Sequence, residues 1–463
     1  MTLEEKIRGR RVGILGMARS GVASAILAKK KGGKPFISDN ARAEQLAEPI
    51  SRLQKEGIEF ETGGHTDRLL GCDYIVISPG VPLTLDILKR AQAAHIPIFS
   101  ELEFAAWFCA GKIVAITGTN GKTTTTALTG EVFKAAGIPT FVCGNIGVAF
   151  TDIADQVPSN GVAVVEVSSF QLETVADFRP NTCVILNITP DHLDRHGSME
   201  NYKRTKYRIT ENQGPDDFYI INRDDSVLLA DPAPTQATRL QFSIKDDASA
   251  NTFVRDNALW ISFKGTETRV IGVDEITIQG PHNLQNAAAA VLLAMTQNVP
   301  VAAMAQALKS FPGVEHRLEK AGVVAGITFI NDSKATNVDS VVVALRSMRT
   351  PTYIIMGGRH KGAPYTPIIE AGKPVIKGVI AIGESREKIF DDLGKAFPVT
   401  FAASLEEAVH RGFEMSHPGE TVLLSPGCSS FDMFENFEHR GRVFKETVAS
   451  LRNGKKKSES VSR

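Results

Sequence analysis

One segment constrains this chain more than any other: Ile113-Val-Ala-Ile-Thr-Gly-Thr-Asn-Gly-Lys-Thr-Thr-Thr-Thr126. An apolar run of strand length ends in Gly118-Thr-Asn-Gly121-Lys122-Thr123, and a helical pattern follows. A strand, a glycine loop and a helix in that order open an α/β unit whose strand enters a parallel sheet. Glycines let the backbone wrap a phosphate, and the helix N-terminus brings unpaired N–H groups and a positive dipole end. Gly118, Thr119, Asn120 and Gly121 are the expected cradle. Lys122 would reach the outer phosphates, and a hydroxyl of Thr123 or Thr124 would complete a magnesium shell. Ile116 stands where the first glycine of GxxxxGK[ST] belongs, so the loop is a shortened variant. The competing reading is a glycine turn with a surface lysine. The strand before, the helix after and the consecutive hydroxyls favour the phosphate loop.

Short β-branched runs alternate with helical patterns along the whole chain, and the pattern restarts twice. This predicts three α/β domains: a Rossmann-like N-terminal domain (1–102), a central P-loop ATPase-like domain with a parallel sheet (103–313) and a Rossmann-like C-terminal domain (314–452). Strands are expected at 12–15, 35–38, 74–78 and 96–99, then at 112–117, 162–167, 183–188 and 218–221. A strand-rich patch follows at 238–278, then an alanine-rich helix at 283–296. The last strands are expected at 327–330, 353–356, 379–382 and 422–425. The polar tail from Asn453 is expected to be disordered.

The 463 residues carry 52 basic and 52 acidic side chains, so no basic surplus points to nucleic acid. The longest apolar runs are too short to cross a bilayer, and the N-terminus lacks the apolar segment of a secretory leader. Five scattered cysteines, none in a CxxC pair, fit a reducing compartment. The expectation is a cytoplasmic protein with no membrane and no nucleic-acid partner.

Other candidate groups fall where parallel strands should end, which is where open α/β sheets bind ligands. Glu166-Val-Ser-Ser168-Phe-Gln171, Asn187-Ile-Thr-Pro-Asp191-His192 and Gly144-Asn145-Ile-Gly147 can converge on the phosphate loop. Glu166 is a hard oxygen ligand suited to magnesium. His192 reads equally as a structural residue. Tyr202 and Lys206 share a helix face at i and i+4, and Lys206 alone reads as a surface or phosphate-binding lysine. In the first domain Gly16-Met-Ala-Arg19-Ser20-Gly21 lacks the middle glycine of GxGxxG, although Asp39 closes the next strand. A pocket for a nucleotide or diphosphate other than a dinucleotide fits better. Ser78-Pro79-Gly80 either lines that crevice or is a plain turn.

Taken together these residues resemble the Mur ligase family, the ATP-dependent amino-acid-adding enzymes of peptidoglycan synthesis, over nearly the whole chain. TGTNGKTT is common to several members. Glu166-Val-Ser-Ser-Phe-Gln-Leu-Glu173, Ile330-Asn-Asp-Ser-Lys-Ala-Thr-Asn337 and Ser425-Pro-Gly-Cys-Ser-Ser-Phe-Asp432 are more specific, and they point to the branch that adds D-glutamate to UDP-N-acetylmuramoyl-L-alanine. The chain has no DNPR signature of the diaminopimelate-adding branch, and it has Asn120 where the alanine-adding branch carries histidine.

The resemblance implies that Lys122, Thr123 and Thr124 bind the phosphates of ATP with magnesium. Glu166 and His192 would hold two Mg2+ ions, with Lys206 carbamylated beside them. Asn286 would contact adenine, and Arg317, Asp332 and Lys334 would reach the ribose and γ-phosphate. Thr336, Lys361, Ser430 and Phe437 match positions that receive D-glutamate. Arg19, Ser20, Asp39, Asn40, Ser78 and Gly80 match the grip on the uridine diphosphate, with Asn145 and Ser168 toward the rest of that substrate. Asn40-Ala41 lacks a basic residue that some relatives carry there. A monomer acting on small molecules is expected.

Three rivals are weaker. A folylpolyglutamate synthase-like ligase would lack the first hundred residues. A nucleotide-switched binding protein would need no second carboxylate site. An NAD-dependent oxidoreductase would need a better glycine fingerprint at Gly16.

Overall fold

The computed structural model describes residues 3–461, except for the side chains of Leu3, Asp194 and residues 453–461. The chain forms two compact units, Met1–Ile278 with Asn283–Phe311, and Gln279–His282 with Pro312–Arg463.

The first unit holds two sheets. Five parallel strands lie in the order Glu59–Glu61, Lys34–Ser38, Arg11–Leu15, Tyr74–Ile77 and Ile98–Ser100. The second sheet has nine strands. Its parallel part runs Thr238–Phe242, Phe218–Asn222, Thr182–Ile185, Lys112–Thr117, Val162–Glu166 and Thr140–Gly144. Val162–Glu166 is buried at every position, as expected of a central strand covered on both faces. Thr252–Arg255 continues the parallel order, and Ala258–Phe263 and Thr266–Gly272 close it as an antiparallel meander. From the adjacent strands Lys112–Thr117 and Thr182–Ile185 the chain goes on to Thr140–Gly144 and Phe218–Asn222, which lie in opposite directions along the sheet. Such a divergence opens a crevice at the strands' carboxyl ends. The expected alanine-rich helix is Pro281–Thr296.

The second unit has six strands in the order Glu319–Val324, Ile327–Asn331, Thr421–Leu424, Thr352–Gly357, Ile376–Ile382 and Val399–Phe401. Only the first pair is antiparallel. Ile354 and Met356 enter one apolar core, Ile355 the other, so side chains alternate across the sheet.

Sequence periodicity did not signal Glu59–Glu61, Glu319–Val324 or Val399–Phe401. All three are sheet edges, partly exposed and without a buried apolar run, so nothing in their composition separates them from loops. Of the tail expected from Asn453, the last helix, Phe437–Val461, takes in the backbone as far as Val461. Ser462 and Arg463 lie outside the described residues.

Candidate active site

The phosphate loop sits between Lys112–Thr117 and the helix Lys122–Ala135. Gly121 caps that helix at φ 84°, and a Cβ there would lie 2.5 Å from Asn286 Oδ1. Only glycine combines that left-handed backbone with that clearance. The loop is stitched to the exit of the neighbouring strand. Asn120 N–H donates to Asn187 Oδ1 (2.8 Å), Asn187 Nδ2 donates to Asn120 O (3.1 Å), and Thr189 N–H donates to Thr119 Oγ1 (3.0 Å).

Lys122 folds back so that Nζ donates to the carbonyls of Gly118 (2.9 Å) and Thr119 (2.8 Å). Lys206, on the helix Met199–Tyr207, is 1% exposed and also donates to Gly118 O at 2.9 Å. Burial pushes its pKa well below the ordinary lysine value, and Lys122's charge adds to this, against the pull of Asp191 and Glu166. Tyr202, one turn earlier, lies under the ammonium with its ring centroid 4.7 Å away, and its hydroxyl meets Thr119 Oγ1 at 3.2 Å. Lys206 is therefore not a surface lysine.

Glu166 ends its strand opposite Ile116. Its Oε1 accepts from Asn145 Nδ2 at 3.0 Å, whereas Oε2 is buried with no hydrogen-bond partner. Thr124 Oγ1, in the first turn of the phosphate-loop helix, is likewise buried without one. Orphaned hard oxygens beside a phosphate loop fit a magnesium site. Thr123 is buried in the same turn. His192 adopts φ 52° at the start of a short helix, with its ring edge-on to Phe170 at 4.8 Å and 38% of the side chain exposed. It is positioned as an accessible group and not as core packing. Asn286 Oδ1 accepts from Thr125 Oγ1 at 3.1 Å, so this side chain is tied to the phosphate-loop helix.

In the first sheet's crevice, Asp39 accepts from the backbone N–H groups of Met17 (2.6 Å) and Ala41 (2.8 Å), which ties together the two loops that carry Arg19, Ser20 and Asn40. A Cβ on Gly21 would lie 1.8 Å from Gly16 O, so Gly16 and Gly21 form a working close-packed pair despite the missing middle glycine. Ser78 Oγ donates to Gly16 O (3.3 Å), and Gly80 is exposed beyond it. Ser168 forms a capping box with Gln171.

In the second unit, Asp332 is fully buried, and burial raises its pKa to about 7 against the pull of Arg317 and the hydrogen bonds from Ser425 and Leu318 N–H. Arg317 Nε is buried without a hydrogen-bond partner. Lys361 Nζ donates to Thr336 Oγ1 at 3.4 Å, bringing two of the expected amino-acid-binding residues together. Lys334 lies over the Phe437 ring (5.3 Å), and Ser430 is buried in the loop after Thr421–Leu424.

Comparison with known proteins follows the same division. Residues 11–85 match the MurD N-terminal domain, 116–294 the Mur ligase middle domain and 316–428 the Mur ligase glutamate ligase domain. The UDP-N-acetylmuramoylalanine–D-glutamate ligase of Thermoanaerobacter sp. (strain X514) is 40% identical over 96% of this chain and 100% of its own length. The enzyme of the same name from Koribacter versatilis is 41% identical over 97% and 100%. The chain belongs to the Mur ligase family. The crystal structure of UDP-N-acetylmuramate–alanine ligase from Thermotoga maritima shares its fold, with TM-score 0.60 and 20% identity over 95% of this chain and 99% of that one.

Several residues of this Mur ligase escaped the sequence reading. Asn187 lies inside a quoted motif, yet its reciprocal bonds to Asn120 are visible only once two strands are adjacent. Arg195 pairs with Glu173 and donates to the carbonyls of Pro79 and Val81 (both 3.1 Å), joining the Ser78 turn to the His192 segment. Arg440 is 1% exposed. An arginine on a helix carries no sequence signal of burial.

Proposed function

We propose that the chain is an ATP-dependent carboxylate–amine ligase that adds D-glutamate to UDP-N-acetylmuramoyl-L-alanine, in cytoplasmic synthesis of the peptidoglycan precursor. The observation that carries this reading is the buried, unpartnered Glu166 Oε2 beside a phosphate loop on which two lysines converge. Phosphorylating a carboxylate brings two anions together, and such a site offsets their repulsion.

Two magnesium ions, held by Thr123, Glu166, His192 and a carbamate on Lys206, would neutralise charge on the phosphates and the substrate carboxylate. Lys122 and the loop N–H groups stabilise the γ-phosphoryl group while a carboxylate oxygen attacks phosphorus and ADP leaves. The amine of D-glutamate then attacks the acyl carbon, loses a proton, and phosphate is expelled from the tetrahedral intermediate. Arg19, Ser20, Asp39, Asn40, Ser78 and Gly80 receive the uridine diphosphate, and Asn145 and Ser168 the remainder of that substrate. Asn286, Arg317, Asp332 and Lys334 serve the nucleotide. Thr336, Lys361, Ser430 and Phe437 receive D-glutamate. The enzyme acts as a monomer.

The test is phosphate release from ATP with UDP-N-acetylmuramoyl-L-alanine and a panel of amino acids. A site built on charge-assisted bonds to two carboxylates rejects ligands that leave its donors unpaired, so D-glutamate should exceed L-glutamate and D-alanine by orders of magnitude. Equal rates, or release independent of the UDP substrate, overturn the assignment.

A further inference from the structure

Arg440 is among the largest fully buried side chains, and its acceptors are a hydroxyl and two backbone carbonyls. Nε donates to Ser333 Oγ (3.0 Å), Nη2 to Ser333 O (2.8 Å), and Nη1 and Nη2 both to Cys428 O (3.3 Å). Ser333 Oγ in turn donates to Phe437 O at 2.8 Å. Burial lowers the guanidinium pKa to about 10, against the pull of Cys428, Asp432 and Asp332, so the group stays charged at neutral pH. Burying a charge carries a desolvation penalty that hydrogen bonds to neutral acceptors offset only in part. A fold that accepts this cost for a group bonded to two loops gains the relative placement of those loops.

The loops belong to adjacent strands. Ser333 follows Ile327–Asn331 and lies between Asp332 and Lys334, with Thr336 just beyond. Cys428 follows Thr421–Leu424 and leads to Ser430. A third loop is attached to the second: Arg359 and Ser429 exchange backbone hydrogen bonds (3.0 and 3.2 Å), and Lys361 lies two residues on. Gly358 packs so closely here that a Cβ would lie 2.2 Å from Ser429 O and 3.3 Å from Arg440 Nη1. A planar fork holds its acceptors on two loops in a fixed relative geometry through donors on three different nitrogens, which the single nitrogen of an ammonium does not reproduce.

We propose that Arg440 is a positioning residue that ties the 332–336 loop to the 428–430 loop, and so sets the nucleotide-facing and amino-acid-facing groups of this unit in one register. The inference deepens the ligase reading above and rests on it. It makes D-glutamate and ATP binding depend on a side chain that touches neither, and leaves the UDP substrate, assigned to the other unit, unaffected.

The experiment compares wild type with Arg440→Lys, Arg440→Ala and Ser333→Ala in steady-state kinetics over each substrate. Calorimetry of UDP-substrate binding serves as a control. Arg440→Lys should raise the KM for D-glutamate at least tenfold and that for ATP severalfold, with UDP-substrate affinity within twofold of wild type. Ser333→Ala should shift the same constants by less. Millimolar guanidinium or ethylguanidinium should partly restore the KM for D-glutamate in Arg440→Ala and leave wild type unchanged. The proposal is overturned if a folded Arg440→Lys keeps both KM values within twofold, or if all three substrates weaken equally. If Arg440→Ala does not fold, the lysine and Ser333 variants decide. A wild type that ligates a different amino acid defeats the substrate assignment alone, and Arg440 is then judged on the KM of that amino acid.

Discussion

Lys122 and Lys206 meet on one oxygen: each ammonium nitrogen lies 2.9 Å from the carbonyl oxygen of Gly118. Two positive charges sharing one acceptor repel each other, and the more buried one yields. Lys206 is that one, because burial and Lys122 both depress its pKa. A neutral amine can attack carbon dioxide, forming an N–C bond and releasing a proton, and the carbamate proposed above would replace a repelled cation with an anionic oxygen suited to magnesium.

Lys206→Ala should therefore lose at least about a hundredfold in turnover, and a short carboxylic acid in the buffer should partly restore it by filling the vacated anion site. Labelled carbon dioxide should give a carbamate carbonyl signal by 13C NMR in wild type and none in the variant. Ordinary turnover in Lys206→Ala, or an active enzyme with a bare ammonium at this position, removes the carbamate role.

Lys122→Ala removes the charge assigned above to the transferring phosphoryl group, at an expected cost of about a hundredfold or more in turnover. Its Nζ donates to the carbonyls of Gly118 and Thr119, both within its own loop, so the melting temperature should move little. Near-normal turnover would make it a structural lysine.

The phosphate loop was legible because strand, glycine and helix signals are contiguous in sequence, and local chemistry dictates local shape there. Lys206 was legible only through family resemblance: its own statistics favour the surface, and its burial depends on a strand and a helix far apart in the chain. Asn187 and Arg440 were not legible as functional groups for the same reason, since their partners at Asn120 and at Ser333 and Cys428 are set by sheet order. The edge strand Glu319–Val324 was missed because an edge needs no buried alternation.

Gly121→Ala tests the loop's backbone. At φ 84° a Cβ costs about 1–2 kcal/mol, and the clash with Asn286 Oδ1 adds to it by displacing the bond from Thr125. Denaturant unfolding should show a loss of about 2 kcal/mol or more, accompanied by weaker ATP binding. Unchanged stability would mean that the loop relaxes to a conformation other than the one described.

Asp332→Asn tests the buried carboxyl in the second unit. The folded protein holds this proton up to about pH 7, whereas the unfolded chain releases it near 3.8. Between those values the native state binds more protons, so wild-type stability falls as pH rises from about 4 to about 7 and the loss is complete above that. An amide escapes this titration while still accepting from Leu318 N–H and donating to Ser425 Oγ, the two partners of the carboxylate. Asp332→Asn should therefore gain on wild type by about 2–4 kcal/mol across that window and hold the advantage at pH 8. It should also bind ATP less well, because the ionised side chain is assigned to the nucleotide. Thermal melts of both proteins from pH 4 to pH 8 measure the gap. A gap that is flat across the range, or that widens toward low pH, would mean that Asp332 is ionised throughout, held by Arg317 more strongly than its burial opposes.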